Sequence, residues 1–311
     1  MVSFKKANPK RIGHLLFSGG GKGEESASQA VSMLERSRFD EPIYWLNIDT
    51  DVAGEKTLAD DHIGLGISHS EVVAMKANME CFDPVVAQIF QAIGEMFGPV
   101  ELGFGARTCP AMTQLMWEYR KPDIIKSIRK SIDILMQRCE RIRIYIVHST
   151  GGGSGRAIGI LLPILLADPT WRRKILYGYD SQILDTPISI AGFPINHPRH
   201  DATELQGRKI LANHVAWAIE SDALLRDQKL AYVFHVGYSN NNAVNNTSAK
   251  LTEVMAGTVH DVVFNYPYLN ARMVDSKAPV NSGYSGVDLP STRFMSVAQV
   301  RDQFYPKKGE K

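Results

Sequence analysis

The run Ser149-Thr150-Gly151-Gly152-Gly153-Ser154-Gly155 holds the plainest chemistry in the chain. Glycines lack Cβ, so the backbone N–H groups of such a run can approach an anion closely. A β-branched apolar stretch, Ile144 to Val147, leads into it, and an apolar helix-like segment, Ala157 to Ala167, follows directly. The reading is a strand, a turn and a helix N-terminus, whose dipole favours negative charge at the same place. A merely flexible loop is the alternative; the strand before and the helix after favour phosphate binding over it.

A second unit of this kind opens the chain. Leu15-Leu16-Phe17 runs into Ser18-Gly19-Gly20-Gly21-Lys22-Gly23, and Glu24 to Arg36 then carries Ala27, Ala30, Val31 and Leu34 at helical spacing. This is where a first strand–helix turn would hold a nucleotide. Lys22 invites comparison with the P-loop, but the Gly-Lys-Ser/Thr ending is absent and a Walker motif is rejected. The strand Tyr44 to Ile48 ends in Asp49-Thr50-Asp51. Carboxylates at the carboxyl end of a strand could hold the waters of a Mg2+ ion, with a turn or helix cap as an equal alternative. Gly103-Phe104-Gly105-Ala106-Arg107-Thr108-Cys109-Pro110 makes a third glycine-containing loop.

These loops need elements to position them. Residues 69–97 predict a long helical region restarted at Pro84, and Pro110 to Arg138 a helix in one piece or two divided near Pro122. The stripe Ile124, Ile125, Ile128, Ile132 and Leu135 within it reads as core. Lys174 to Tyr177, Ile188 to Phe193 and Leu230 to Gly237 read as strands, with helices over Glu204 to Leu225 and Asn245 to Val263. Strands alternating with helices imply an α/β fold: a Rossmann-like parallel sheet with helices on both faces. Ser276 to Lys311 is rich in Pro, Gly and Ser, with one helix expected over Val297 to Phe304.

Composition excludes several classes. At 311 residues, 44% hydrophobic and 22% charged, the chain can bury a real core. A formal net charge of +2 gives no basic face of the kind specific nucleic-acid binding needs. Local basic clusters at Lys5 to Arg11, Arg172 to Lys174 and Lys307-Lys308 read as solvated ends or helix faces. The three cysteines, Cys81, Cys109 and Cys139, form neither a disulfide framework nor a CxxC metal site, which points to a reducing, cytoplasmic setting. No signal peptide is apparent at the N-terminus, and the longest apolar run, Ile158 to Ala167, is short of the roughly 20 residues that cross a bilayer, so no membrane insertion is expected.

Taken together, the glycine loops, their order and their spacing make the stretch from Ile12 to Asp275 resemble the tubulin and FtsZ superfamily of GTPases. Thr150 and Gly151-Gly152-Gly153-Ser154-Gly155 match the signature of three glycines, Ser or Thr, then Gly, which wraps the phosphates in that family. Gly19, Gly20, Gly21 and Gly23, with Lys22 among them as a candidate nucleotide contact, resemble the first nucleotide loop, although Gly23-Glu24 replaces its usual Gly-Asn ending. Asp49 and Asp51 resemble the acidic positions near magnesium. Gly105 and Ala106 begin a stretch similar to the loop that senses the γ-phosphate, with two glycines and an asparagine lost after them. Gln206-Gly207-Arg208 resembles the Glu-Gly-basic stretch at the ribose, with Glu204 as the rival ribose acceptor. Asn245 and Asn246, early in the last long helix, resemble the guanine-reading amides, with Asn240 as a further nucleotide contact; a carboxamide supplies both donor and acceptor to a base edge, and a polar turn with a helix cap is the alternative for Asn240 to Asn246.

Leu269-Asn270-Ala271-Arg272-Met273-Val274-Asp275 is similar to the loop that, in the family, enters the nucleotide pocket of the next subunit. Asn270 and Asp275 take its catalytic positions; Arg272 stands where a further acidic residue is usual. The resemblance implies bound GTP or GDP with Mg2+, hydrolysis completed by a neighbouring subunit, and head-to-tail self-association into filaments. It also implies a basic extension over residues 1–11, a GTP-binding domain over 12–244, a long central helix and catalytic-type loop over 245–275, and a short segment over 276–311. On that division the family's second domain is reduced or absent. Two other readings remain open: a GTP-binding regulatory or adaptor module that does not polymerise, and an NAD-dependent Rossmann oxidoreductase with Asp49 at the ribose.

Overall fold

A computed structural model describes residues 11–50, 57–97, 106, 109–192, 205–238, 248–264 and 292–294. In chain order these form β1 (Ile12–Gly19), α1 (Gly20–Arg36), β2 (Ile43–Asp49), β3 (Asp61–Gly64), α2 (His69–Ala77) and α3 (Pro84–Phe97). There follow α4 (Pro110–Met136), β4 (Arg141–Ser149), α5 (Gly153–Ala167), α6 (Pro169–Ile175), β5 (Ile188–Gly192), α7 (Leu205–Arg226), β6 (Tyr232–Tyr238), α8 (Ser248–Phe264) and β7 (Thr292–Phe294). The strands make one sheet in the order β3-β2-β1-β4-β5-β6-β7. All pairings are parallel except that of β7 with β6. The expected α/β fold with a parallel sheet is therefore found.

The order follows from burial on both faces. In β1, Leu15 and Phe17 join the core cluster shared with α4 and α5, while Leu16 joins the cluster shared with α1 and α8. β4 alternates in the same way: Ile144 and Ile146 pack on the first side, Tyr145 and Val147 on the second. A strand covered on both faces reads as an unbroken apolar run, and only the period of two assigns each residue to a layer. The chain runs from β1 outwards through β2 and β3, then crosses to the other side of β1 as β4. Ligands bind in open α/β sheets at the carboxyl ends of the strands where the order reverses in this way. Gly19 pairs in register with His148 at that point, so both long glycine runs end at the same crevice.

Helix α4 is continuous through Pro122. A proline inside a helix costs about 3 kcal/mol. Ile124, Ile128, Ile132 and Leu135 are all buried beyond it, and full burial of each such side chain contributes roughly 1.5–3 kcal/mol, which outweighs the break.

Four sequence expectations change. Gly20–Gly23 and Gly153–Gly155 are the first turns of α1 and α5, not loops that precede them. The reason is packing: a Cβ at Gly23 would stand 2.5 Å from the Val147 carbonyl oxygen, so α1 can approach β4 only with glycine there. Lys174 to Tyr177 is not a strand but the end of α6 and the turn after it. Asp168 caps that helix, accepting from the amides of Thr170 at 2.8 Å and Trp171 at 3.1 Å, and Pro169 sits at its first position. This start signal overrides the β-propensity of Ile-Leu-Tyr. The short β3 was not anticipated, because its four residues bury only Ile63. β7 was not anticipated either; it lies in the stretch read as Pro-, Gly- and Ser-rich, whose expected helix over Val297 to Phe304 falls outside the described residues.

Candidate nucleotide site

Two helices of 17 and 15 residues, α1 and α5, begin side by side at the carboxyl ends of β1 and β4. Gly20 makes the turn from β1 into α1 with φ of +70°, a conformation that strains any residue with a Cβ. A Cβ there would also lie 3.0 Å from the Gly155 amide nitrogen. The first turns of the two helices thus touch, and their N–H groups, which have no partner within the helix, and positive dipole ends share one crevice. At Gly21 and Gly152, in contrast to Gly20 and Gly155, a Cβ would meet nothing within 4 Å among the described residues. Packing among the described residues gives no reason for glycine at these two positions, whereas close approach of a ligand to the backbone would.

Asp49 and Thr50 bring β2 into the same place. The amide of Thr50 donates to the Asp49 carboxylate at 2.6 Å, and the hydroxyls of Thr50 and Ser154 share a hydrogen bond of 2.6 Å. The Ala106 amide donates to the Thr50 hydroxyl at 3.2 Å, so the third loop is tied to the other two through Thr50. Burial pushes the Asp49 carboxyl above its ordinary range, against the hydrogen bonds from Thr50 and Ser154 that favour its ionised form. A carboxylate and two hydroxyls are the hard oxygen donors that suit Mg2+ and its waters, so these residues fit that ion. Among the described residues no group of three or more His, Cys, Asp or Glu side chains is placed to hold a metal directly.

Behind the Thr150–Gly151 turn stands α7. Asn213 donates its amide to the Gly151 carbonyl at 3.0 Å, and His214 Nδ1 lies 2.9 Å from the Thr150 hydroxyl. Thr150 is fully buried and its amide donates to the Gly192 carbonyl at 2.9 Å, which pins the loop to the end of β5. Two turns further along α7, Glu220 receives Arg156 of α5 at 2.7 Å. Three buried histidines gather below: His148 on β4, His214 on α7 and His235 on β6, packed around Trp217. Burial lowers them to about 4, about 3 and about 4 respectively, so all three are neutral at ordinary pH. His148 Nε2 is 3.0 Å from the Ser189 hydroxyl.

The structure therefore brings together Gly19, Gly20, Gly21, Asp49, Ala106 and Thr150 to Gly155. Lys22 pairs with Glu25 at 2.5 Å along α1, and Glu25 also accepts from Thr252 of α8 at 3.2 Å. Gln206 lies in the first turn of α7, with Arg208 exposed just after it. Asp51, Gly105, Glu204, Asn240, Asn246, Asn270 and Asp275 lie outside the described residues. Sequence reading missed Thr50, Asn213 and His214. Thr50 sat between two named carboxylates, which was a usable signal; Asn213 and His214 lie mid-helix with nothing in the pattern to mark them.

The strand order of the first six strands is also that of dinucleotide-binding folds, so it does not discriminate between the two. The second glycine-started helix after β4 does, since a dinucleotide fingerprint has no such feature. No known family profile and no curated protein matches the sequence. Solved structures do resemble it. CetZ2 from Haloferax volcanii, as a GTPγS-bound protofilament, is similar at 13% identity and a TM-score of 0.50, over 81% of this chain and 58% of that one. CetZ from Methanosaeta thermophila gives 13% identity and 0.46 over 88% and 57%. TubZ of Clostridium botulinum phage c-st gives 13% and 0.42 over 86% and 61%. The chain spans about three-fifths of the length of these proteins. No helix among the described residues is long and apolar enough to cross a membrane. With its two glycine-started helices at one switch point, this chain has the fold of the tubulin/FtsZ-like proteins.

Proposed function

We propose that the chain binds a guanine nucleotide at the β1/β4 switch point, hydrolyses it, and assembles head to tail. The observation that carries the reading is the convergence of α1 and α5, with Gly21 and Gly152 free of any packing need for glycine among the described residues, beside the oxygen donors of Asp49, Thr50 and Ser154. Phosphates would lie across the two helix N-termini, where backbone amides neutralise them without side-chain charge. Mg2+ would be held through water by Asp49, with Asp51 as its sequence neighbour, and would supply neutralisation of charge on the phosphate oxygens. Phosphoryl transfer needs positioning and charge neutralisation more than covalent help. Choice of guanine rests on Asn240 and Asn246, and contact with the ribose on Glu204, Gln206 and Arg208, all by sequence resemblance.

Hydrolysis and assembly rest on Asn270 and Asp275. A loop that completes the site of the next copy makes a heterologous contact, and such contacts build filaments when they do not close. The fold is shared with a protein solved as a GTPγS-bound protofilament, which supports the reading. Thermal shift with GTP, GDP, ATP and NAD tests the nucleotide. Phosphate release and pelleting with GTP, wild type against Asp275→Ala, test the rest. Turnover equal in both proteins and independent of protein concentration would remove hydrolysis in trans. A non-polymerising binding module is the second reading; the third loop favours it, since Arg107, Thr108 and Cys109 stand where the family has two glycines and an asparagine.

A further inference from the structure

We propose that Asn213 and His214 of α7 are positioning residues that hold the phosphate loop in its anion-binding shape from behind; this rests on the nucleotide-site reading above. A backbone cradle binds an anion only if its N–H groups face the ligand and its carbonyls turn away, because an exposed carbonyl oxygen repels phosphate. Gly151 has no side chain to enforce that orientation, and glycine is the residue with the most backbone freedom to lose. Asn213 supplies the constraint by donating to the Gly151 carbonyl at 3.0 Å, a buried bond. The carbonyl is thereby held against α7, which leaves the amides that follow it free to serve the crevice.

His214 secures the preceding residue. The Thr150 hydroxyl donates to the Gly192 carbonyl at 3.3 Å and stands 2.9 Å from His214 Nδ1. A hydroxyl that keeps its proton on that carbonyl accepts from Nδ1–H of the neutral His214 ring. Thr150 is fully buried, so its hydroxyl anchors the loop and does not face a ligand. The His214 ring is backed by the Trp217 and His235 rings at 6.0 and 5.1 Å, which limit its rotation. The Arg156–Glu220 pair ties α7 to the first turn of α5 at the far end of the same contact. Two consecutive helix residues thus grip two consecutive loop residues, and α7 sets the shape of a cradle it does not itself line.

The test uses the full chain with Asn213→Ala, His214→Leu and His214→Asn, the last placing an amide donor near the position of Nδ1. GDP and guanosine binding, melting temperature and amide hydrogen exchange over Gly151 to Gly155 are measured for each. Removing one such bond is expected to weaken GDP about tenfold, the equivalent of about 1.4 kcal/mol. Guanosine affinity should stay within about twofold, because only the phosphates use the cradle, and exchange in the loop should speed up. His214→Asn should recover most of the GDP affinity that His214→Leu loses. Equal losses for GDP and guanosine, unchanged loop exchange, or His214→Asn as defective as His214→Leu would overturn the proposal. If the wild-type chain binds neither ligand, the nucleotide reading falls, and the exchange measurements alone then decide the clamp: faster exchange in Asn213→Ala and His214→Leu upholds it, unchanged exchange removes it.

Discussion

Acid should unfold this protein well above the pH at which its carboxylates titrate, because three histidines are buried in neutral form. His148, His214 and His235 lie at about 4, about 3 and about 4 in the folded chain, against 6.5 when unfolded. The unfolded chain therefore binds more protons than the native one between those values, and stability is lost as pH falls from 6.5 towards 4. At pH 5, which is 1.5 below the unfolded value, each histidine costs about 2 kcal/mol, at 1.36 kcal/mol per pH unit. The three together cost about 6 kcal/mol, comparable to the whole stability of many domains. His14 acts in the same direction, since burial outweighs its bond to Glu41. Asp49 acts in the opposite one, being raised by burial, but only nearer its own range. Urea unfolding at pH 7.5, 6, 5.5 and 5 reads the slope, which should reach about three protons. His235→Leu should lower it by one, since neither ring nitrogen of His235 has a hydrogen-bond partner among the described residues. A slope below one proton, or one unaltered in His235→Leu, would refute the reasoning.

The glycines give a contrasting pair. Gly21→Ala should melt within about 2 °C of wild type yet bind GTP at least tenfold more weakly, because its Cβ meets no atom of the described residues and would enter the proposed nucleotide crevice. Gly20→Ala should lose stability as well, by about 1–3 kcal/mol, since φ there is +70° and Gly155 is close; calorimetry and nucleotide titration separate the two. Ser18→Ala strips the partner from Trp45 Nε1 and from Asn47, at 2.8 and 2.7 Å in the sheet interior, and should cost about 1–3 kcal/mol in urea unfolding. A double-mutant cycle on Arg156 and Glu220 should give a coupling of about 1 kcal/mol, modest because Glu220 is partly exposed, and additive single mutants would remove the pair from the account.

Local pattern made the principal elements legible. The apolar runs at Leu15, Ile144 and Ile188 became strands of one parallel sheet, and the stripe from Ile124 to Leu135 became buried helix. The glycine runs at Gly19 and Gly151 marked the candidate site because their chemistry lies in the backbone and so in the sequence itself. By contrast, helix starts were misplaced at both runs. Whether a glycine belongs to a loop or to a first helical turn depends on what it packs against, and Gly23 packs against a carbonyl of a strand more than 120 residues away.

What the sequence by itself determined is therefore the sheet and the backbone at its edge: period-two apolar runs and glycines at strand ends fix a sheet and a row of amides without reference to anything distant. Only the tertiary structure decided how that row is held. β4 returning beside β1 placed the two helix N-termini in contact, and α7 folding behind them brought Asn213 and His214 to Gly151 and Thr150. Those bonds span more than 60 residues. A mid-helix Asn or His has no local period that announces its partner, so its role appears only when the chain has closed.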